Sequence, residues 1–342
     1  MENFIMPFCI SAFISLLMTP LVKKLAWKIG AVDIPKDGRR IHRKAMPLIG
    51  GLAIYIGVII TSIIYLPLDR FLISMIIGST IIVISGIIDD IKELSPRLKL
   101  IFQLMSGLVL ILGDVRIDFI RNPFSNNNLL LDLKWLSIPI TLFWCIGIIN
   151  TFNLIDGLDG LAAGVAFISS FSLILVAGRY NYTNIIILSS IVAGACIGFL
   201  PFNFNPARIF MGDTGSLFLG FMLASISIEG VMKSVTAISI VVPIMILGIP
   251  IFDTTFAIIR RFLSGKSIMD ADKGHLHHRL MNRGYGHRDT VLILYSISII
   301  FGAFSVIMAD ANSKRAFLAS IALFIMSLFI AMKLGLFKKD RE

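Results

Sequence analysis

Four short segments hold residues whose types and spacing could do chemistry. Asp89 and Asp90 are adjacent carboxylates that follow an uninterrupted apolar run, with Lys92 and Lys99 just beyond. Like charges at the end of an apolar helix repel each other, and a bound cation or a role as a base offsets that cost. Asn153, Asp156 and Asp159 occur in Asn-Leu-Ile-Asp-Gly-Leu-Asp-Gly. On a helix Asn153 and Asp156 share a face at i, i+3, and Asp159 joins them only where Gly157 and Gly160 loosen the backbone. Oxygen donors between glycines suit a hard cation such as Mg²⁺, which takes few protein carboxylates and completes its shell with water and phosphate oxygens. The plainer alternative is a polar Asx turn between two apolar segments.

The third segment is Met211-Gly-Asp213-Thr-Gly-Ser216. Its glycines let backbone N–H groups turn toward an anion, and Ser216 opens a helix whose N-terminus favours phosphate. Asp213 then supplies a further carboxylate for a bridging metal, although a simple helix cap would need only the Asp or the Thr. The fourth is His275-Leu-His277-His278-Arg279, inside a polar loop at about 260–290. Three imidazoles and a guanidinium could bind zinc, grip a diphosphate or sit in water. Zinc sites favour closed Cys/His sets and no cysteine is near, so donors around a pyrophosphate fit better.

The elements that position these groups are apolar. Of 342 residues, 56% are hydrophobic and only 15% charged, and the mean hydropathy is +0.88. Such a chain cannot coat itself with polar surface, which excludes disorder and a water-soluble α/β enzyme. The net charge of +10 resides between apolar runs, so it speaks for membrane topology and not for nucleic acid. Cys9, Cys145 and Cys196 fall inside apolar runs, leaving no disulfide framework. The pattern predicts an all-α polytopic membrane protein, a single domain over 1–342, with about eleven transmembrane helices. The expected spans are Phe4–Pro20, Leu48–Pro67, Phe71–Ile88, Leu98–Gly113, Trp135–Phe152, Leu158–Ala177, Ile185–Leu200, Ser216–Ile228, Val235–Phe252, Val291–Met308 and Phe317–Met332. The span at Ser216 is the shortest. Glu2 stands where a signal peptide needs a basic residue.

Most of the 31 basic residues fall in alternate connections, which by the positive-inside rule puts the N-terminus outside and the C-terminus in the cytoplasm. All four chemical segments then meet at the cytoplasmic face. A transporter or lipid flippase, the competing class, would place ionisable groups near the middle of its spans, where this chain has almost none.

At these residues the sequence resembles the polyprenyl-phosphate N-acetylhexosamine-1-phosphate transferases. The Asp89-Asp90 pair, the Asn153–Gly160 segment, Met-Gly-Asp-Thr-Gly-Ser and His-Leu-His-His occur in that family's order, and the likeness extends from about Leu21 to Arg288, including Gly50-Gly51 and Asp253-Thr-Thr-Phe. The resemblance implies a multi-pass enzyme of the bacterial cytoplasmic membrane, often a homodimer, that transfers a sugar 1-phosphate from a UDP-sugar to a polyprenyl phosphate. It also implies Mg²⁺, with Mn²⁺ as a substitute. His275-x-His277-His278-Arg279 resembles the branch that uses UDP-GlcNAc and undecaprenyl phosphate to start wall teichoic acid, O-antigen or related envelope glycans. The branch using UDP-MurNAc-pentapeptide, the alternative, typically shows three consecutive histidines.

By the same resemblance, Asn153 and Asp213 hold the metal and Asp159 contacts the nucleotide sugar. Asp156 belongs to the same site. Asp89 or Asp90 orients or deprotonates the lipid phosphate, Lys99 grips it, and His275, His277, His278 and Arg279 clamp the diphosphate.

Overall fold

The computed structural model describes residues 4–34, 45–121, 130–232, 240–263, 265, 274–309 and 313–333. The basic residues at 36–44, the 270–273 part of the polar loop, the basic residues at 334–342 and the start of the span expected at Val235 lie outside the described residues.

Apolar runs become helices, and side-chain caps start two of them. Helix α1 (Ile5–Ile29) leads into a two-residue antiparallel ladder, β1 (Val32–Asp33) with β2 (Met46–Pro47), and then α2 (Gly51–Tyr65). Helix α3 (Arg70–Lys92) begins at Asp69, whose Oδ1 accepts the N–H of Leu72 at 2.8 Å. That bond satisfies one of the donors a helix start leaves unpaired. Helix α4 (Pro96–Leu112) starts at Ser95 with proline in its first turn, where the missing N–H costs nothing. A second ladder, β3 (Phe119–Arg121) with β4 (Leu130–Asp132), precedes α5 (Ser137–Ile155), α6 (Leu161–Arg179), α7 (Thr183–Asn203) and α8 (Gly212–Ser227). A π-helical turn, Ile228–Met232, extends α8. The rest are α9 (Val241–Ile246), α10 (Gly248–Leu263), α11 (Leu276–Asn282), α12 (His287–Met308) and α13 (Ser313–Lys333).

Among the described residues six helical segments are long and apolar enough to cross a membrane: α1, α3, α6, α7, α12 and the segment Lys134–Ile155 that contains α5. The chain is a multi-pass α-helical membrane protein. Helices α2, α4 and α8, with 15, 17 and 16 residues, are shorter than those six. The span expected at Val235–Phe252 is, where described, two helices broken at Leu247. Pro250 explains the break, since it has no N–H to bond the carbonyl of Ile246 and its ring clashes there.

Helix α8 is the centre of the bundle. It packs against α2, α3, α5, α6 and α7, and every residue from Thr214 to Ser227 is buried. A helix apolar all round is one with neighbours on every side. Polar ties fix its surroundings. Trp144 Nε1 on α5 donates to Ser227 Oγ at 3.0 Å. One turn before Asn153, Asn150 Nδ2 donates to Gln103 Oε1 at 2.9 Å, and Gln103 Nε2 returns a bond of 3.2 Å, locking α4 to α5. The start of α8 is tied to the β2–α2 connection, because Gly50 N–H donates to Phe210 O and Gly51 N–H to Met211 O, both at 2.9 Å.

Close approach of α3 to α8 depends on Gly86, where an added Cβ would lie 2.4 Å from Thr214 Cα. We therefore expect Gly86→Val to lower the melting temperature in detergent, at a cost of about 1–3 kcal/mol or more for overpacking. Ile84→Val, at a position 48% exposed, should melt like the parent; equal melting of both variants would contradict this packing.

Candidate active site

The ends of α3, α5 and α7 meet the starts of α8 and α12 at one end of the bundle. There they enclose a cavity of about 410 Å³ whose lining includes Asp33, Asp90, Asn153, Asp156, Asp159, Asp213 and His287. Five of these seven are carboxylates. Each must find a positive partner, a hydrogen-bond donor or a proton.

Asp90 meets that demand with the helix start. Its Oδ1 accepts the Asp213 N–H at 2.9 Å, and its Oδ2 accepts the Thr214 N–H at 3.1 Å and the Thr214 hydroxyl at 2.7 Å. The unpaired N–H groups and the positive end of the helix dipole suit a carboxylate there. Asp89 faces the other way. Its Oδ1 accepts the Leu94 N–H at 2.6 Å and its Oδ2 pairs with Lys99 Nζ at 2.7 Å. The same ammonium lies 2.7 Å from Asp213 Oδ2, so Lys99 bridges two acids. Asn153 Nδ2 completes the cluster by donating to Asp213 Oδ1 at 2.8 Å and to Ser216 Oγ at 3.0 Å. The neighbouring carboxylates of the sequence thus have different duties, one toward α8 and one toward the lysine.

Asp159 is held as well. Its Oδ2 accepts Asn205 Nδ2 and the Ala207 N–H, both at 3.0 Å, and its own N–H donates to His287 Nε2 at 2.9 Å. Asp156 differs from all of these: among the described residues no hydrogen bond or ion pair reaches its carboxylate. Burial first, and then the charges of Asp213, Asp90 and Asp159, push its pKa up to about 8. A half-buried acid that faces three others across a polar cavity fits a hard cation. Among the described residues no three His, Cys, Asp or Glu side chains are grouped to hold an ion unaided. An ion here would share protein oxygens with water and phosphate, the coordination habit of Mg²⁺.

The histidine segment stands beside the cavity. His275 turns inward, with Nδ1 2.9 Å from Asp253 Oδ2. His277 is 2% exposed, and its Nε2 lies 2.5 Å from where a Cβ on Gly157 would be, so it packs beneath the turn that carries Asp156 and Asp159. Burial, reinforced by the charge of His278, keeps its pKa down at about 4. His278 and Arg279 are half-buried on α11, and Arg279 Nε donates to Gly274 O at 3.2 Å. None of the four is in the cavity lining. The structure thus places the segment expected to clamp the diphosphate beside the cavity, with His277 against Gly157 of its lining.

Asp33 and His287, both in the lining, escaped the sequence reading. Asp33 sits on a two-residue strand, too short to show a pattern. His287 had a visible signal in Gly286-His287 just before the apolar run at Val291, which marks a helix starting at this end of the bundle.

Comparison with known proteins gives a family and its members. The model of glycosyl transferase family 4 matches residues 72–231. A Bacillus subtilis protein named as a probable undecaprenyl-phosphate N-acetylglucosaminyl 1-phosphate transferase is 43% identical over 96% of this chain and 91% of its own length. A Mycolicibacterium smegmatis decaprenyl-phosphate N-acetylglucosaminephosphotransferase is 33% identical over 92% of this chain and 84% of its own. A Halalkalibacterium halodurans phospho-N-acetylmuramoyl-pentapeptide-transferase is 29% identical over 88% and 95%.

Two of the shifted groups, Asp156 and His277, act on opposite limbs of a pH–stability curve. Asp156, raised from 3.8 to about 8, contributes stability that is full below about 4 and is lost as pH rises through 8. His277, lowered from 6.5 to about 4, contributes stability present above 6.5 and lost as pH falls toward 4. In a melting series without divalent cations, Asp156→Asn should flatten the alkaline limb and leave the acid limb intact. An unchanged alkaline limb would remove Asp156 as its cause.

Proposed function

We propose that this chain, which belongs to glycosyl transferase family 4, moves N-acetylglucosamine 1-phosphate from UDP-GlcNAc to undecaprenyl phosphate, releasing UMP. The product is the first lipid-linked intermediate of a cell-envelope glycan such as wall teichoic acid or O-antigen. The observation that carries the reading is the meeting of Asp89, Lys99, Asn153, Asp156 and Asp213 at one end of the bundle. The name of the Bacillus relative supports undecaprenyl phosphate as acceptor and N-acetylglucosamine 1-phosphate as the group transferred.

An oxygen of the lipid phosphate attacks the sugar-bearing phosphorus, a new P–O bond forms, and the bond to UMP breaks. Such a transfer depends on positioning and on neutralising charge. Asp89, on the outer side of the pair, orients the attacking phosphate and takes a proton where one remains. Lys99, held between Asp89 and Asp213, brings positive charge to the incoming phosphate. Asn153 and Asp213, with Asp156 beside them, are the residues that would hold Mg²⁺ or Mn²⁺. When bound, the ion neutralises the charge of the diphosphate oxygens.

Asp159 shapes the donor side through the 205–207 segment it anchors. His278 and Arg279 act from α11 at its edge. Asp90 keeps Asp213 and Thr214 in place and leaves the proton chemistry to Asp89. The cavity faces the cytoplasm, where nucleotide sugars are made, in agreement with the distribution of basic residues.

Purified protein in detergent, given UDP-GlcNAc, undecaprenyl phosphate and Mg²⁺, should release UMP, and chelation should stop it. UDP-MurNAc-pentapeptide should not replace the donor; turnover of that compound alone would favour the pentapeptide branch. Asp213→Ala should abolish release. Asp89→Asn should lower kcat by about 10²–10⁴, the range for loss of an acid–base group. Asp90→Asn keeps an acceptor for only one of the two α8 amides but removes no proton-transfer group, and should lose less; a larger loss than in Asp89→Asn would reverse the assignment of the pair.

A further inference from the structure

Outside the cavity the molecule holds a buried pairing of acid and imidazole. Asp253 lies in α10 and is 4% exposed; His275 precedes α11 and is 5% exposed. Both carboxylate oxygens are committed to one short segment. Oδ2 lies 2.9 Å from His275 Nδ1, and Oδ1 accepts the Leu276 N–H at 2.8 Å. Two turns further along α10, the Arg260 guanidinium lies against Gly274, so this helix grips the segment twice.

The contact continues toward the cavity. The rings of His275 and His277 are nearly parallel, 7° apart with centroids at 5.8 Å, and His277 packs beneath Gly157. His278 follows, its ring centroid 4.2 Å from that of His277. Helix α11 has seven residues, far fewer than a helix needs to persist alone in water. Its place is therefore set by what holds its ends. A carboxylate that fixes both the orientation of an imidazole and a helix start acts as the outer partner of a metal-site histidine does, at one remove from the reacting atoms.

We infer that Asp253 is a positioning residue: through His275 it docks α11, and through His277 it holds the Asp156–Asp159 turn in register with the cavity. The inference rests on the transferase reading above for its kinetic consequence, though not for the docking itself.

Asp253→Asn separates orientation from packing. The amide keeps an oxygen for the Leu276 N–H, but its NH₂ now faces His275 Nδ1 as a donor and forces the other tautomer. We expect melting within a few degrees of the parent. The kcat/KM for UDP-GlcNAc should fall on the order of 10- to 100-fold, as for other supporting partners of this kind, with the KM for undecaprenyl phosphate unchanged. In Asp253→Ala, which also loses the helix start, trypsin should cut after Arg279 faster than in the parent.

Parent-like kinetics per folded molecule in Asp253→Asn would overturn the proposal, as would an equal loss for donor and lipid. Unaltered cleavage in Asp253→Ala would overturn the docking. If the parent protein itself releases no UMP, the transferase reading falls, and the cleavage rates still decide whether Asp253 docks α11.

Discussion

The arrangement turns on one electrostatic constraint: acids outnumber cations at the mouth of an apolar bundle. Charges in that setting are costly unless each is answered locally. The fold answers them one at a time. Asp90 takes the N–H groups and hydroxyl at the start of α8. Asp89 and Asp213 share Lys99, and Asp159 takes the amides of Asn205 and Ala207. What is left is concentrated at Asp156, where an extra positive charge or a proton is most welcome. The divalent ion proposed above would supply that charge.

The same constraint explains the connections between helices. Donors that answer the acids come from backbone and side chains on different elements, so the ends of α3, α5 and α7 must arrive together with the starts of α8 and α12. The β2–α2 strap bonded to Phe210 and Met211 and the amide pair between α4 and α5 hold these ends in place. The first strap fixes Phe210 and Met211, which line the cavity, and the second acts one turn from Asn153.

Much of this was legible in the sequence because carboxylates are rare in an apolar chain and conspicuous where they occur. Asp89, Asp90, Asn153, Asp156, Asp159 and Asp213 stood out individually, and the structure brings them to one end. Composition cannot tell which partner each acid chooses. Nothing in Asp-Asp says that the second carboxylate turns to α8 while the first turns to Lys99. The histidine segment was legible as a cluster but not in its partners: imidazole is equally at home on phosphate and in a buried interior, and only the fold pairs His275 with Asp253 and packs His277 against Gly157. Among the described residues, six helical segments meet the expected spans on length and apolarity. Short helices such as α8 carry a weak signal because protein, not lipid, surrounds them. The break at Leu247 was marked only by Gly248 and Pro250 within an otherwise apolar run.

Helix α8 has no face left for lipid. Thickness changes in a bilayer act on the helices that line its boundary, which tilt or stretch to match it. A rod sheathed by α2, α3, α5, α6 and α7 feels such changes only through its neighbours, so the elevation of Asp213 is set by the protein's own interior. The candidate site is thereby buffered from the mechanics of the surrounding bilayer.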